Sequence, residues 1–379
     1  MSRLNKASWS SAPRNTKDFT ADPLGFVNNG EDNVFLARVF HWKICFVSSF
    51  DAVNQVLQDK YMSSKGGYEA FKGLGVFGNT VLFEDGNRHS EMKQNLTYLL
   101  TETHGGIIDG IISKGIHVWK GEVDMYSVAK KLCNDCVVNL FTEEHEKVKE
   151  FQKLIWNGTV STGVDMQIMG FKSAMAAAKE ARNELLQTEF SACPFASSSL
   201  EKTDLNAHRL MFSSSMVSKA LGSVITSFVR EVHFHPDIRT RLDTGNSEYL
   251  KRVLQEVLRM YPPVIGCCRS SSKSCLVGGN VIPEDSMLWC CFATANRDPQ
   301  VYTDPNCFKP DRWLDDQLPL LSFGGLGKHH CVGEPLAMEI IYRTAKALLD
   351  TYTWTCSTGS YDIRWLPVSR PKHMKVTFT

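Results

Sequence analysis

The chain has 379 residues, 43% of them hydrophobic, enough to bury a sizeable core in one large domain or two or three ordinary ones. Lys and Arg number 42 against 41 Asp and Glu, and a net charge of +1 argues against a nucleic-acid partner held by global charge. Charged residues at 22% and aromatics at 10% fit a globular chain and not a disordered one. The residues from Met1 to Arg14 carry no signal-peptide pattern, so the twelve cysteines are expected as reduced thiols in a cytoplasmic protein. No run approaches the roughly 18 apolar residues of a membrane span, so no transmembrane anchor is expected.

In chain order, residues 1–20 read as a polar N-terminal arm and residues 21–379 as a single domain. Residues 35–48 are rich in β-branched and aromatic side chains and predict one or two strands. Asp51 to Leu57 predicts a helix capped by an acid. Five glycines between residues 62 and 83 predict an irregular loop. Apolar spacing of three and four residues then predicts helices at 88–101, 106–118, 124–141, 143–157 and 168–189. A turn-rich break covers 191–204. A long helix over about 205–234 ends before His235-Pro236. Another helix spans 246–260, short strands follow to about 293, a helix returns at 333–350, and residues 352–379 alternate like a hairpin. The expected fold is mainly α with a small β part.

Residues 323–333, FGGLGKHHCVG, set Cys331 just before a helix N-terminus. The helix dipole and free N–H groups there favour a thiolate, and glycines let backbone pass close to a flat ligand. Such a thiolate suits the axial position of haem iron; an ordinary buried cysteine in a glycine turn is the plainer alternative. Glu256 and Arg259 stand three apart on one helix face, and Arg312 in the Phe308–Trp313 segment could close a buried Glu–Arg–Arg cluster with them.

Together the Glu256-x-x-Arg259, Tyr261-Pro262-Pro263, Arg297-Asp298-Pro299, Phe308, Arg312 and Cys331-x-Gly333 motifs resemble the cytochrome P450 superfamily of haem-thiolate enzymes. The resemblance runs from about Asp22 onward and is densest over 246–345. It implies a fold that sandwiches haem b between the long central helix and the cysteine-loop helix, with an axial thiolate from Cys331. It also implies that His89, Lys93, Arg269 and His329 hold the haem propionates, with Arg88 nearby, and that Phe323, Gly325, Gly327 and Gly333 line the haem. Buried propionates do need cationic or N–H donors close by. The implied partners are a small apolar, lipid- or sterol-like substrate, lined by Phe212, Met216, Val264 and Ile265, and a reductase or ferredoxin as electron donor.

The chain departs from the family pattern in its central helix. Counting back from His235-Pro236 places Lys219 where the family has an acid and Ala220 where it has a threonine, with Ser218 alongside. Ala220 has no hydroxyl for a proton relay. Three functions therefore stay open: a monooxygenase, a peroxide-using or hydroperoxide-rearranging enzyme, and a haem-binding protein with little catalysis. The cysteine loop also carries Phe323 one residue earlier than the family places its aromatic. Cys133 and Cys136 sit one helical turn apart and are expected to pack, not to bind metal. The adjacent pairs Cys267-Cys268 and Cys290-Cys291 are expected to be core on one side only.

Overall fold

The computed structural model describes residues 8, 10–30, 32–39, 42–68, 78–101, 104–160, 169–187, 200–314, 318–325, 327–357, 362–366 and 368–379. Part of the expected polar arm is helical: α1 (Ala12–Ala21) turns into α2 (Pro23–Asn28) at Asp22. The Asp22 carboxylate accepts the Gly25 N–H at 3.0 Å, and Pro23 occupies a position whose N–H would be unpaired anyway. The arm is not free, because Phe19 lies 5.2 Å from the Trp289 ring and 5.6 Å from Phe46.

The strand reading of residues 35–48 holds. β1 (Val34–Val39) and β2 (Trp42–Val47) pair antiparallel, Val34 opposite Val47 and Val39 opposite Trp42. The helix α3 (Phe50–Gln58) follows. Its cap is not Asp51, which lies in the first turn: Ser49 is the N-cap residue, and the Phe50 N–H donates to Asp298 Oδ2 at 2.9 Å. The glycine-rich stretch is partly ordered as β3 (Met62–Ser63), α4 (Ser64–Gly67) and a 3₁₀ turn at Val81–Phe83; its residues 69–77 lie outside the described residues.

The predicted helices appear within a few residues of their expected ends: α5 (Gly86–Thr101), α6 (Gly105–Ile116), then a short strand β4 (Gly121–Asp124), α7 (Met125–Phe141), α8 (His145–Val160) and α9 (Met169–Gln187). Of the break expected at 191–204, residues 191–199 lie outside the described residues, and a helix has begun by Lys202. The long helix expected over 205–234 is two helices, α10 (Lys202–Phe212) and α11 (Ser215–Phe234). Ser213 and Ser214 interrupt it: the Ser213 hydroxyl bonds back to the Arg209 carbonyl at 2.8 Å, a local bond that competes with helix continuation. Next come α12 (Pro236–Leu242) and α13 (Ser247–Met260), the latter capped by Asn246, which accepts the Tyr249 N–H at 2.9 Å.

The strands β5 (Gly266–Ser271), β6 (Cys275–Val277), β7 (Asn280–Ile282) and β8 (Met287–Cys291) follow, then a single turn α14 (Phe292–Ala295). One sheet runs β1-β2-β8-β5-β3, with β2 and β8 parallel and its other pairs antiparallel. The helix α15 (Glu334–Thr351) precedes the tail, where β9 (Trp354–Cys356), β10 (Ile363–Arg364), β11 (Arg370–Pro371) and β12 (Lys375–Phe378) alternate as expected. β10 pairs with β11, and β12 lies between β4 and β9.

The main core gathers the buried faces of α5, α6, α7, α11, α13 and α15. A second core fills the space between α3 and the β5–β8 face, and partly buried Leu320 packs against both. α11 lies so close to α7 that a Cβ on Gly222 would come within 2.8 Å of Lys130 backbone atoms. Cys133 and Cys136 are buried core residues, as expected. Cys290 and Cys291 are both fully buried, against the one-sided expectation, because the sheet is covered on both faces.

Candidate haem site

Glu256 is the hub beneath the cysteine loop. Its Oε1 accepts from Arg259 at 2.8 Å, Arg312 Nε at 3.0 Å and the Lys309 backbone N–H at 2.9 Å. Its Oε2 accepts from Arg259 Nε at 2.9 Å and Trp313 Nε1 at 3.0 Å. Arg259 also donates to the carbonyls of Asn296 at 2.9 Å and Pro305 at 2.7 Å. Every charge in the expected cluster is thus compensated, as full burial of Glu256 and Arg259 requires. The sequence reading found the three charges but not Trp313 or the Lys309 N–H. The cluster continues toward the loop, since Asn296 accepts the Leu321 N–H at 3.0 Å and Ser322 donates to the Leu258 carbonyl at 2.9 Å.

The loop itself turns through Phe323, Gly324 and Gly325, all at positive φ. For Phe323, at φ 62, this is a strained conformation that a glycine would adopt freely. Its carbonyl is rewarded with the Cys331 N–H at 2.7 Å. Gly325 and Gly327 press on α3: a Cβ on Gly327 would stand 2.2 Å from the Leu57 carbonyl oxygen, and one on Gly325 2.6 Å from Leu57 Cδ1. Their lack of a side chain serves that packing. Gly333 is the N-cap of α15, and Cys331 stands just before it. The protein around it raises the thiol above the ordinary cysteine range: burial outweighs the Gly333 and Glu334 N–H groups and Lys93, which lower it.

Three of the four expected propionate partners are brought together with Asp85. The rings of His89 and His329 lie 4.1 Å apart, and His329 Nε2 is 3.0 Å from Asp85 Oδ1. That nitrogen has no well-aligned hydrogen-bond acceptor among the described residues. Asp85 further accepts from Ser63 Oγ at 2.5 Å and from the Ser64 N–H at 3.2 Å. Burial raises the Asp85 carboxyl, but these donors with His329 hold it well below the usual carboxylate range. Burial, then His329 and Lys93, push His89 down to about 4. Lys93 donates to the Lys328 carbonyl at 2.7 Å. Arg269 is buried, and the Asp85 charge favours its cationic form. Arg88 is drawn elsewhere, into a pair with buried Asp204 of α10.

A family model described as Cytochrome P450 matches residues 234–375, the stretch that carries the Glu256 hub and the Cys331 loop. Over that stretch the chain matches the cytochrome P450 family. It is 39% identical over 160 residues to the mitochondrial 25-hydroxyvitamin D-1 alpha hydroxylase of Mus musculus, a match covering 41% of this chain and 30% of that protein. It is 34% identical over 119 residues to the isoflavone 2'-hydroxylase of Glycyrrhiza echinata, covering 31% and 24% respectively. The match therefore spans less than a third of these relatives' length. In fold the chain is similar to retinoic acid bound cyanobacterial CYP120A1, with a TM-score of 0.80 at 21% identity over 96% of both chains. P450BioI, solved with an acyl carrier protein ligated to hexadec-9Z-enoic acid, gives 0.79 at 17% identity over 97% of this chain and 100% of that one.

Members of the P450 family use haem held by a cysteine thiolate. The donors around Cys331 fit that group: a thiol at a helix N-terminus, a buried arginine, a lysine and a histidine nitrogen without a well-aligned acceptor. On α11, Lys219 lies against α7 and β11, where burial and then the charges of Lys130 and Arg370 lower it to about 8. Ser218 is buried and Ala220 half-buried.

The residues expected to line the pocket differ in their surroundings. Met216 and Val264 are exposed, and Ile265 packs into the core beneath α2 and β1 with Leu24, Val27 and Val39. Phe212 alone is near the loop: a Cβ on Gly333 would lie 3.7 Å from Cys331 Sγ and 3.9 Å from Phe212 Cε1. The residues that hold α10 there were missed by the sequence reading. Buried His208 accepts the Val81 N–H at Nε2, 2.8 Å away, and gives its Nδ1–H to the Asp204 carbonyl at 2.7 Å. The i,i+4 spacing of Asp204 and His208 was the only available signal.

Proposed function

We propose that the chain acts as one haem-binding domain, a haem-thiolate oxidoreductase with Cys331 as axial ligand and a small apolar, lipid- or sterol-like substrate. What supports this reading is Cys331 just before α15 with Lys93 near it, together with the cluster of His89, His329 and Arg269 about Asp85. When bound, haem with a thiolate ligand supplies the O–O bond cleavage and oxygen-transfer chemistry of the family. The chain's residues do the rest. Arg269 and Lys93 would neutralise the propionates, the two neutral imidazoles would offer them N–H donors, and the Glu256 hub holds the loop rigid. The hydroxylase names of the relatives support oxygen insertion as the reaction, and the family's general use of redox partners supports a reductase or ferredoxin as electron donor. The test is the spectrum of the reduced protein with carbon monoxide. A thiolate-type Soret band is expected, and Cys331→Ala should lose either haem or that band; an unchanged spectrum in the variant overturns the reading.

A second reading is favoured by α11. Ala220 offers no hydroxyl, and Lys219 rests against α7, so neither gives an acid–threonine relay. A substrate hydroperoxide or a peroxide, whose O–O bond arrives already formed, avoids that need. The comparison is product formed per reducing equivalent with dioxygen and a reductase, beside a peroxide-driven assay, in wild type and in the Lys219→Asp, Ala220→Thr double variant. Poor coupling in the wild type with good peroxide turnover supports the second reading; efficient coupling with dioxygen returns the protein to the monooxygenase.

A further inference from the structure

Cys267 and Cys290 face each other directly across the antiparallel β5–β8 pair. Directly opposed residues in such a pair have Cα separations inside the range of about 4.4–6.8 Å that a disulfide spans, and closure draws their Cβ atoms in from about 4.5–5.5 Å to about 3.5–4.5 Å. Both side chains are buried on the same face of the sheet, against α3, and each thiol acts electrostatically on the other. Two residues along the same strand and face stands Arg269, whose charge acts on both sulfurs.

We propose that Cys267 and Cys290 form a redox-active dithiol that hydrogen peroxide closes to a cross-strand disulfide beside Arg269.

The chemistry distinguishes this pair from the other buried thiols. Burial pushes Cys45 and Cys136 up to about 12 and Cys133 well above its ordinary value, so they stay protonated and inert. Cys267 goes the other way, down to about 7, because the neighbouring Cys290 thiol outweighs burial and Arg269 adds to it. Cys290 goes up, under Cys267 and burial together. The roles are therefore unequal: Cys267 is the attacking sulfur and Cys290 the resolving one. In the first step the Cys267 thiolate attacks one peroxide oxygen, the O–O bond breaks, and the departing oxygen leaves as water after taking protons. Cys267 becomes a sulfenic acid. In the second, the Cys290 sulfur attacks the Cys267 sulfur, the S–S bond forms, the S–O bond breaks, and hydroxide leaves as water with the Cys290 proton. The sum converts two thiols and one hydrogen peroxide into one disulfide and two waters. The two thiols are oxidised by two electrons and the peroxide is reduced by two. Closure ties β5 to β8 at the strand that carries Arg269.

The test treats the full chain, haem-loaded and haem-free, with stepwise hydrogen peroxide. Remaining thiols are then blocked under denaturing conditions and the protein is digested without reductant. Trypsin separates the Cys267 and Cys290 segments, because Arg269 and Lys273 lie between them. The expected product is one linked peptide pair, lighter by two hydrogens, in which fragmentation places the bond between Cys267 and Cys290. It should form before exposed Cys307 is oxidised and should disappear on dithiothreitol treatment. Cys268→Ser should keep the link and Cys290→Ser should abolish it, leaving a sulfenic acid at Cys267 that dimedone traps. Recovery of both residues as alkylated thiols after Cys307 has been oxidised overturns the proposal. So does a link that fragmentation assigns to Cys268 or Cys291. Because the wild type supplies both outcomes, a variant that fails to fold does not remove the test, and the result does not depend on haem chemistry.

Discussion

Arg259 shows how one buried side chain can hold a site together without touching the chemistry. Its guanidinium is fully buried, and it bonds Glu256 twice and three carbonyls of the 296–307 segment. Removing it strands a carboxylate in the interior, against the remaining donors Arg312, Trp313 and the Lys309 N–H. Breaking a buried pair in this way typically costs about 3–5 kcal/mol. Arg259→Ala should therefore lower the denaturant midpoint sharply and accumulate as insoluble or haem-free protein. A soluble, haem-loaded variant of near wild-type stability would contradict the role. Phe323 is a second case at this scale. Its positive φ is a local cost accepted because the same residue's carbonyl receives the Cys331 N–H.

Among the elements, α10 is held by bonds that each come from a different part of the chain. Asp204 pairs with Arg88 of α5, His208 takes the Val81 N–H, and Gln152 of α8 donates to the Ser213 carbonyl just past its end. His208 is fully buried and must be neutral to accept from Val81. Burial, with a contribution from Arg88, lowers it to about 4 from 6.5. The sign follows: above about pH 6.5 neither state is protonated and the full stability is present. As pH falls below that, the unfolded chain takes up a proton that the folded one refuses, so stability is lost progressively toward pH 4. A shift of this size is worth on the order of 3 kcal/mol. Denaturant midpoints measured across this window should fall in the wild type and fall less in His208→Asn. His89, lowered to about 4 in the same window, keeps the variant's slope from vanishing. Equal slopes in the two proteins would show that His208 is not coupled to folding.

At the scale of the whole molecule, each core is closed by contacts between residues far apart in sequence. Asp298 caps α3 from 248 residues away, and Tyr352 of the C-terminal region donates to the Ile116 carbonyl at 2.9 Å. The N-terminal helix α1 belongs to this network, because Phe19 closes an aromatic group with Phe26, Phe46 and Trp289. Phe19 is only half-buried, so truncation should cost less than a full core phenylalanine, about 1–3 kcal/mol. Phe19→Ala should lower the thermal midpoint and alter Trp289 fluorescence, while the carbon monoxide spectrum keeps its shape. Among the described residues no helix is long and apolar enough to cross a membrane.

By itself the sequence determined what short-range chemistry can encode. Three- and four-residue periodicity located the helices from α5 to α9, α13 and α15, because a buried face repeats once per turn. Glu256, Arg259 and Cys331 were legible because their spacing is fixed within or beside single elements. Only the tertiary structure decided the rest. The Asp298 cap, the Asp204–Arg88 pair and the Trp313 bond to Glu256 each join segments that carry no local mark of one another. The break at Ser213-Ser214 and the separation of Ile265 from Phe212 were likewise invisible. Periodicity says that a face is buried but not against which neighbour, and a side chain's partner is settled by how the elements pack.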